Sequence, residues 1–285
     1  MLWRCGPVLL ITFLFLTAHA QSRIDCNAFN SHILGEAVHY CVMLPPGYDA
    51  AARSAKKFPV LYYLHGLGDN EQTLFKGGGW DLIQDLRQQN KITDFLIVAP
   101  EGKASFYINS ADHRVRYNDF FASEFIPFIE GRYAIRRERK SRGISGVSMG
   151  GYGALRFAFA HPELFGSVSA QSPALMIQGT QSRTSLGQYL GSVFGNPIDA
   201  AHWKANDPLA LAKMNPVRLR GLAMYFNCGR DDEYGFEVGT EALDRELTSA
   251  KIPHEYHLYP GNHSGAYFLA HIEETMEFHS RSFEK

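Results

Sequence analysis

The sequence predicts an α/β fold: a mostly parallel central sheet with helices on both faces and an antiparallel hairpin at its amino-terminal edge. Three observations carry this. Near-continuous apolar runs such as Phe58-Pro59-Val60-Leu61-Tyr62-Tyr63-Leu64 and Phe95-Leu96-Ile97-Val98-Ala99-Pro100 have the character of strands buried on both faces. Segments with helical spacing alternate with such runs, the pattern of parallel strands joined by crossover helices. Gly146-Val147-Ser148-Met149-Gly150 links a short buried run to a good helix former, so a G-x-S-x-G turn stands between strand and helix.

The chain has 285 residues, 45% hydrophobic and 20% charged, which suits one globular domain whose core needs no staples. A formal net charge of -1 gives no electrostatic footprint for nucleic acid or an anionic membrane surface. Residues 1–20 differ from the rest. Arg4 supplies a positive start, Val8–Leu16 an apolar stretch and Ala18-His19-Ala20 a small-x-small cleavage site, which together read as a secretory signal peptide. The apolar stretch is shorter than the ~20 residues a membrane span needs. The expected product is therefore a single domain over residues 21–285 with no membrane span, secreted or periplasmic.

The elements follow in order. A hairpin is expected with its turn near Leu34-Gly35-Glu36; in its second strand Val38, Tyr40, Val42 and Leu44 share one face and His39, Cys41 and Met43 the other. Cys26 and Cys41 flank that turn, and in an exported protein they are the pair expected to bridge, leaving Cys228 as a buried thiol. Pro45-Pro46-Gly47-Tyr48 ends the strand. The run Phe58–Leu64 leads into His65-Gly66-Leu67-Gly68-Asp69, a helix follows around Trp80–Gln89, and Phe95–Pro100 is the next strand. Phe120, Phe121, Phe125, Ile126 and Ile129 mark a helix over Tyr117–Tyr133. After the Ser148 turn, a helix runs to His161-Pro162 and a strand to Ser167–Ala170. Gln178–Asn215 is polar, Gly-rich and too long for a bare connection, so it is read as an excursion over the rim of the sheet. The last strands are Leu222–Asn227 and Glu255–Tyr259, with helices starting near Phe236 and spanning Ala266–His279.

A serine hydroxyl is a poor nucleophile until a base takes its proton and a third group holds that base in the right tautomer. Ser148 has the required turn: glycines on both sides allow the close approach and unusual φ that a strained strand-to-helix turn demands. In this architecture the acid and then the histidine follow the serine. The turn after the Leu222–Asn227 strand offers Asp231, Asp232 and Glu233 as acids. His263, in Pro260-Gly261-Asn262-His263-Ser264, is the histidine with the required chain order and loop position. The backbone N–H groups of Met149 and Leu67 are the natural pair for an oxyanion. No C-x-x-C or H-E-x-x-H spacing occurs, so no metal is expected.

Taken together, His65-Gly66-Leu67-Gly68, Gly146-Val147-Ser148-Met149-Gly150-Gly151, Cys228-Gly229-Arg230-Asp231-Asp232 and Gly261-Asn262-His263 resemble the esterase D-like family of α/β-hydrolases. That family includes S-formylglutathione hydrolases, feruloyl and short-chain esterases, and mycolyltransferases. The likeness extends from Leu34 to the terminal helix and includes Tyr117-Asn118-Asp119-Phe120. It implies an α/β-hydrolase fold and a serine carboxylesterase without a cofactor, with a small-molecule or polymer-linked ester as partner. The family's C-G-x-x-D pattern selects Asp232 as the acid beside Ser148 and His263. A signal peptide sets the chain apart from cytosolic S-formylglutathione hydrolysis, though a thioesterase of that kind and an acyltransferase of the mycolyl type remain the alternatives. Substrate selectivity is expected from aromatic walls, with His65, Trp80, Tyr117 and Trp203 as candidates and Tyr107, Tyr189 and Phe194 nearby in the same loops.

Overall fold

The computed structural model describes residues 22–176, 187–214 and 216–284. The expected signal peptide lies outside the described residues, as does part of the Gln178–Asn215 excursion. Among the described residues there are eight strands: β1 (Arg23–Asn30), β2 (Ala37–Leu44), β3 (Val60–Leu64), β4 (Leu96–Pro100), β5 (Arg142–Val147), β6 (Ser167–Gln171), β7 (Ala223–Gly229) and β8 (Glu255–Tyr259). The helices are α1 (Tyr48–Arg53), α2 (Trp80–Gln88), α3 (Tyr117–Phe120), α4 (Ile126–Arg132), α5 (Met149–Ala160), α6 (Gly187–Phe194), α7 (Ala200–Asn206), α8 (Pro208–Met214), α9 (Phe236–Ser249), α10 (Gly265–Ala270) and α11 (Ile272–Phe283).

All eight strands form one sheet in the order β1-β2-β4-β3-β5-β6-β7-β8. Only β2 runs against the rest, pairing antiparallel with β1 and β4, while the other neighbours pair in parallel. The carboxyl ends of β3, β5, β7 and β8 therefore open on one rim, which is where an open α/β sheet carries its functional loops.

The two faces of the sheet bury separate cores. Val38, Tyr40, Val42 and Leu44 join one with Tyr62, Val98, Ile144 and Phe226, beneath residues of α4, α5 and α9. Cys41 and Met43 join the other with Leu61, Ile97 and Met276. A period of two along strands covered on both sides produces this division. Arg142, at the start of β5, makes a two-pronged ion pair to Glu130 of α4 at 2.6 and 3.0 Å, with both side chains buried. Two further N–H groups donate to the Leu164 and Arg137 carbonyls, so four of the five donors of the buried cation are used.

Cys26 and Cys41 face each other directly across β1 and β2 and are joined by a disulfide; Cys228 is free and buried. Two expectations change. The Tyr117–Tyr133 helix contains a π-helical turn over Phe121–Phe125 and stops at Arg132, because Tyr133 is extended. The terminal helix breaks at His271 into α10 and α11. The described residues of the excursion include the helices α6, α7 and α8.

Candidate active site

The strand β5 ends at Val147 and α5 begins at Met149, leaving Ser148 alone at the corner with φ 53° and ψ -118°. Few non-glycine residues adopt such a conformation, so the surroundings must impose it. Ser148 N–H donates to the Gln171 carbonyl at 2.9 Å, and the Ser148 carbonyl accepts from Tyr152 and Ala174 N–H, each at 3.0 Å. The two motif glycines permit the approach. A Cβ on Gly146 would lie 2.3 Å from the Gly150 carbonyl carbon, and one on Gly150 only 1.9 Å from the Leu64 oxygen.

The loops after β7 and β8 are stitched together. Arg230 N–H donates to the Tyr259 carbonyl and Asp231 N–H to the Gly261 carbonyl, at 2.8 and 2.9 Å. This leaves Asp231 exposed and turns the side chain of Asp232 inward, where it is fully buried. One oxygen of Asp232 accepts from Tyr234 N–H at 3.0 Å and the other from His263 Nδ1 at 2.7 Å. With Nδ1 protonated, the lone pair of Nε2 faces Ser148 Oγ at 2.8 Å and accepts its proton in a hydrogen bond. Glu233 accepts the backbone N–H of His263 at 2.8 Å, a bond that holds its carboxyl below the ordinary range. Thus adjacent acids hold the ring and the backbone of the same histidine.

Ring edges complete the setting of His263: Tyr234, Phe268 and Phe236 lie at centroid distances of 4.9, 5.1 and 5.3 Å. Cys228 sits behind Asp232, its sulfur 3.6 Å from Oδ2, and burial pushes the thiol up to about 12. It is therefore a neutral, weak donor to the carboxylate. Met149 occupies the first turn of α5, where N–H groups have no partner within the helix. Leu67 N–H makes no backbone hydrogen bond among the described residues. Both amides are free to receive charge on a bound carbonyl oxygen.

The residues suggested for substrate contact divide differently. His65 is buried; its Nδ1–H donates to the Gly66 carbonyl at 2.7 Å and its Nε2 accepts from Gly102 N–H at 2.8 Å. Burial lowers its pKa, so the ring is neutral and shapes the loop that carries Leu67. Tyr117 and Tyr107 are buried, with hydroxyls on the Glu101 and His65 carbonyls. Trp203 is buried against Phe194 at 4.4 Å, and Trp80 packs on the α2 side of the sheet. Trp80, Tyr117 and Trp203 do not line the cleft beside the serine. Large aromatic surfaces gain most by burial, and Tyr117 and Trp203 join the core on one face of the sheet while Trp80 packs on the other. The cleft itself, about 360 Å³, is walled by Tyr63, Asp69, Leu74, Val147, Phe268 and Leu269, and of the residues suggested for substrate contact His65 also lines it. Phe268 and Asp69 were not legible as site residues: one lies in a plain helical stretch, the other in a Gly-rich turn that suits a solvated acid equally well. No group of three or more His, Cys, Asp or Glu residues is placed to hold a metal among the described residues.

The model of the family described as "Putative esterase" matches residues 31–279. The chain belongs to this esterase family. Among curated relatives, Esterase Rv1288 of Mycobacterium tuberculosis is 29% identical over 244 residues, which cover 78% of this chain and 51% of that protein. The chain thus spans about half the length of that relative. An acetyl esterase of Caldicellulosiruptor saccharolyticus is 27% identical, with 80% of this chain and 85% of the relative covered. Among solved structures, a ferulic acid esterase superposes with a TM-score of 0.81 at 24% identity, covering 93% of this chain and 99% of that one. At that identity the likeness bears on the fold, and the esterase family's α/β-hydrolase sheet is the one described above.

Proposed function

We propose that this esterase-family chain is an exported serine carboxylesterase that works through an acyl-enzyme. The observation that carries the reading is the unbroken hydrogen-bond relay from Ser148 through His263 to the buried Asp232, set at a strained turn. Ser148 Oγ attacks the ester carbonyl while His263 Nε2 takes its proton. Asp232 keeps Nδ1 protonated and stabilises the imidazolium that forms. Leu67 and Met149 N–H groups hold the oxyanion, and His263 then protonates the departing alcohol. Water, activated by the same histidine, releases the acid. Feruloyl-type or short-chain acyl esters are the proposed substrates, a choice supported by the names of the relatives and by the size of the cleft. Export is supported by the first twenty residues and by a disulfide, which suits an oxidising compartment.

The test is a panel of esters of varied acyl length and aromaticity, with a fluorophosphonate probe and Ser148→Ala as control. Wild-type protein should carry the probe on Ser148 and turn over at least one ester. Ser148→Ala should lose the label and about three or more orders of magnitude in kcat. A variant that keeps a tenth of the wild-type rate removes Ser148 from the mechanism.

A further inference from the structure

The cleft beside Ser148 is apolar over Leu74, Val147, Phe268 and Leu269, and Asp69 is the one charged side chain lining it. The position of Asp69 relative to the nucleophile follows from a single point. The place that a Cβ on Gly66 would occupy lies 3.1 Å from Asp69 Oδ2, 3.6 Å from Val147 Cγ2 and 3.7 Å from Ser148 Cβ. The carboxylate therefore stands against the loop that carries the Leu67 amide, close to Ser148 and on the wall of the cleft that Val147 also lines. Asp69 N–H donates to the Gly66 carbonyl at 3.2 Å, so the turn holds it there.

None of the groups facing it cancels its charge. His65 is neutral and already bonded at both ring nitrogens. Tyr63 is uncharged, the Gly66 N–H and the Thr73 side chain hydrogen-bond the carboxylate without neutralising it, and Gly265, Ala266, Phe268, Leu269 and Ile272 close the cleft without a charge. Although Asp69 is exposed at the mouth, its carboxyl loses part of its hydration against the loop, which raises its pKa above the ordinary range. A second anion entering an apolar cleft would meet an uncompensated like charge; a hydroxyl or ammonium donor would meet an acceptor with spare lone pairs.

We propose that Asp69 is a specificity-determining residue that turns carboxylate-bearing esters away from Ser148 and favours esters carrying a hydrogen-bond donor on the group that enters this cleft. The proposal rests on the serine esterase reading above. Its mechanism is discrimination between substrates, with no part in proton transfer, so the readout is a ratio of kcat/KM values within one enzyme. Any effect on His263 or on folding divides out.

The experiment compares a matched set of esters that differ only at the end of a four-carbon acyl chain: methyl, hydroxyl, ammonium and carboxylate. Wild-type protein should favour the hydroxyl and ammonium members over the carboxylate member by at least tenfold, and Asp69→Asn should shrink that ratio to threefold or less. On acidification the wild-type preference for the ammonium member over the methyl member, neither of which titrates in that range, should fall as Asp69 gains a proton, whereas in Asp69→Asn it should stay flat. That wild-type profile bears on Asp69 even if the variant fails to fold. An unchanged ratio in Asp69→Asn, or a wild-type ratio near one, overturns the role of Asp69. Absence of fluorophosphonate labelling on Ser148 would instead overturn the esterase reading on which it rests. Better turnover of the hydroxyl member alone would assign a hydroxylated substrate, and of the ammonium member alone a cationic one.

Discussion

Asp231 and Asp232 are neighbours in sequence with opposite fates. One is held at the surface by a backbone bond to the His263 loop; the other is buried with both oxygens occupied. Replacing Asp232 by Asn keeps the size but offers His263 Nδ1 an amide, which no longer stabilises the imidazolium and permits the wrong tautomer. On the serine mechanism proposed, Asp232→Asn should lower kcat by about 10⁴, whereas Asp231→Asn should stay within a few fold. Steady-state kinetics on one chromogenic ester distinguish them, and the opposite ranking would move the acid by one residue. The pairing of Ser148 and His263 is legible in sequence because the glycines around Ser148 have a geometric use and His263 has the required chain order and loop position. The choice between two adjacent aspartates comes only through the family's C-G-x-x-D pattern and not from the residues themselves, since physically it depends on which way a loop is stitched to its neighbour.

At the level of elements, α11 is fastened to the sheet by a polar cluster. His279 is fully buried, with Nδ1 2.8 Å from Ser167 Oγ and Nε2 2.8 Å from Ser169 Oγ, which in turn donates to Ser145 on β5. It rests over Gly143, where a Cβ would come within 2.7 Å of the ring. Burial pushes His279 down to about 3 from an ordinary 6.5. The sign follows directly. Below pH 6.5 the unfolded chain takes up a proton that the folded chain refuses, so stability is full above that pH and declines until about pH 3. The slope attributable to this residue approaches about 1.4 kcal/mol per pH unit within the window. Urea unfolding of wild type and His279→Gln should diverge in pH dependence there and run parallel above pH 7. A parallel course throughout would mean that His279 accepts a proton in place. The helix itself is readable from its spacing, but the break at His271 and the strands that receive His279 are not. Helical periodicity reports one face and is silent on what that face meets. The same limit explains Trp80, Tyr117 and Trp203: a sequence shows that a loop is aromatic, while the rings turn inward or outward according to packing made with distant residues.

For the molecule as a whole, strand alternation reveals most of the architecture. Val38 through Leu44 divide between two cores because both faces of β2 are covered, and that division is legible from residue types alone. Strand order is less so, since β3 lies between β4 and β5 and only long-range pairing fixes this. The reversed β2 ties β1 to the parallel body, and the Cys26–Cys41 bridge closes a loop of 15 residues there. Replacing both cysteines by serine should cost up to about 3 kcal/mol, seen as a lower Tm, with the corner at Ser148 untouched. Thiol counting on the unfolded, unreduced mature protein should find one free cysteine. The strained corner at Ser148 has a consequence of another kind. A conformation suited to glycine is occupied here by serine, so the native state is less favourable than it needs to be. Ser148→Gly should relieve about 1–3 kcal/mol of strain, offset in part by the greater freedom of glycine in the unfolded chain. The net expectation is a more stable protein that no longer labels with fluorophosphonate. In evolutionary terms, a copy of this gene freed from selection on turnover would have an easy downhill exit at this one codon, and a serine that persists there marks a lineage still selected for its chemistry.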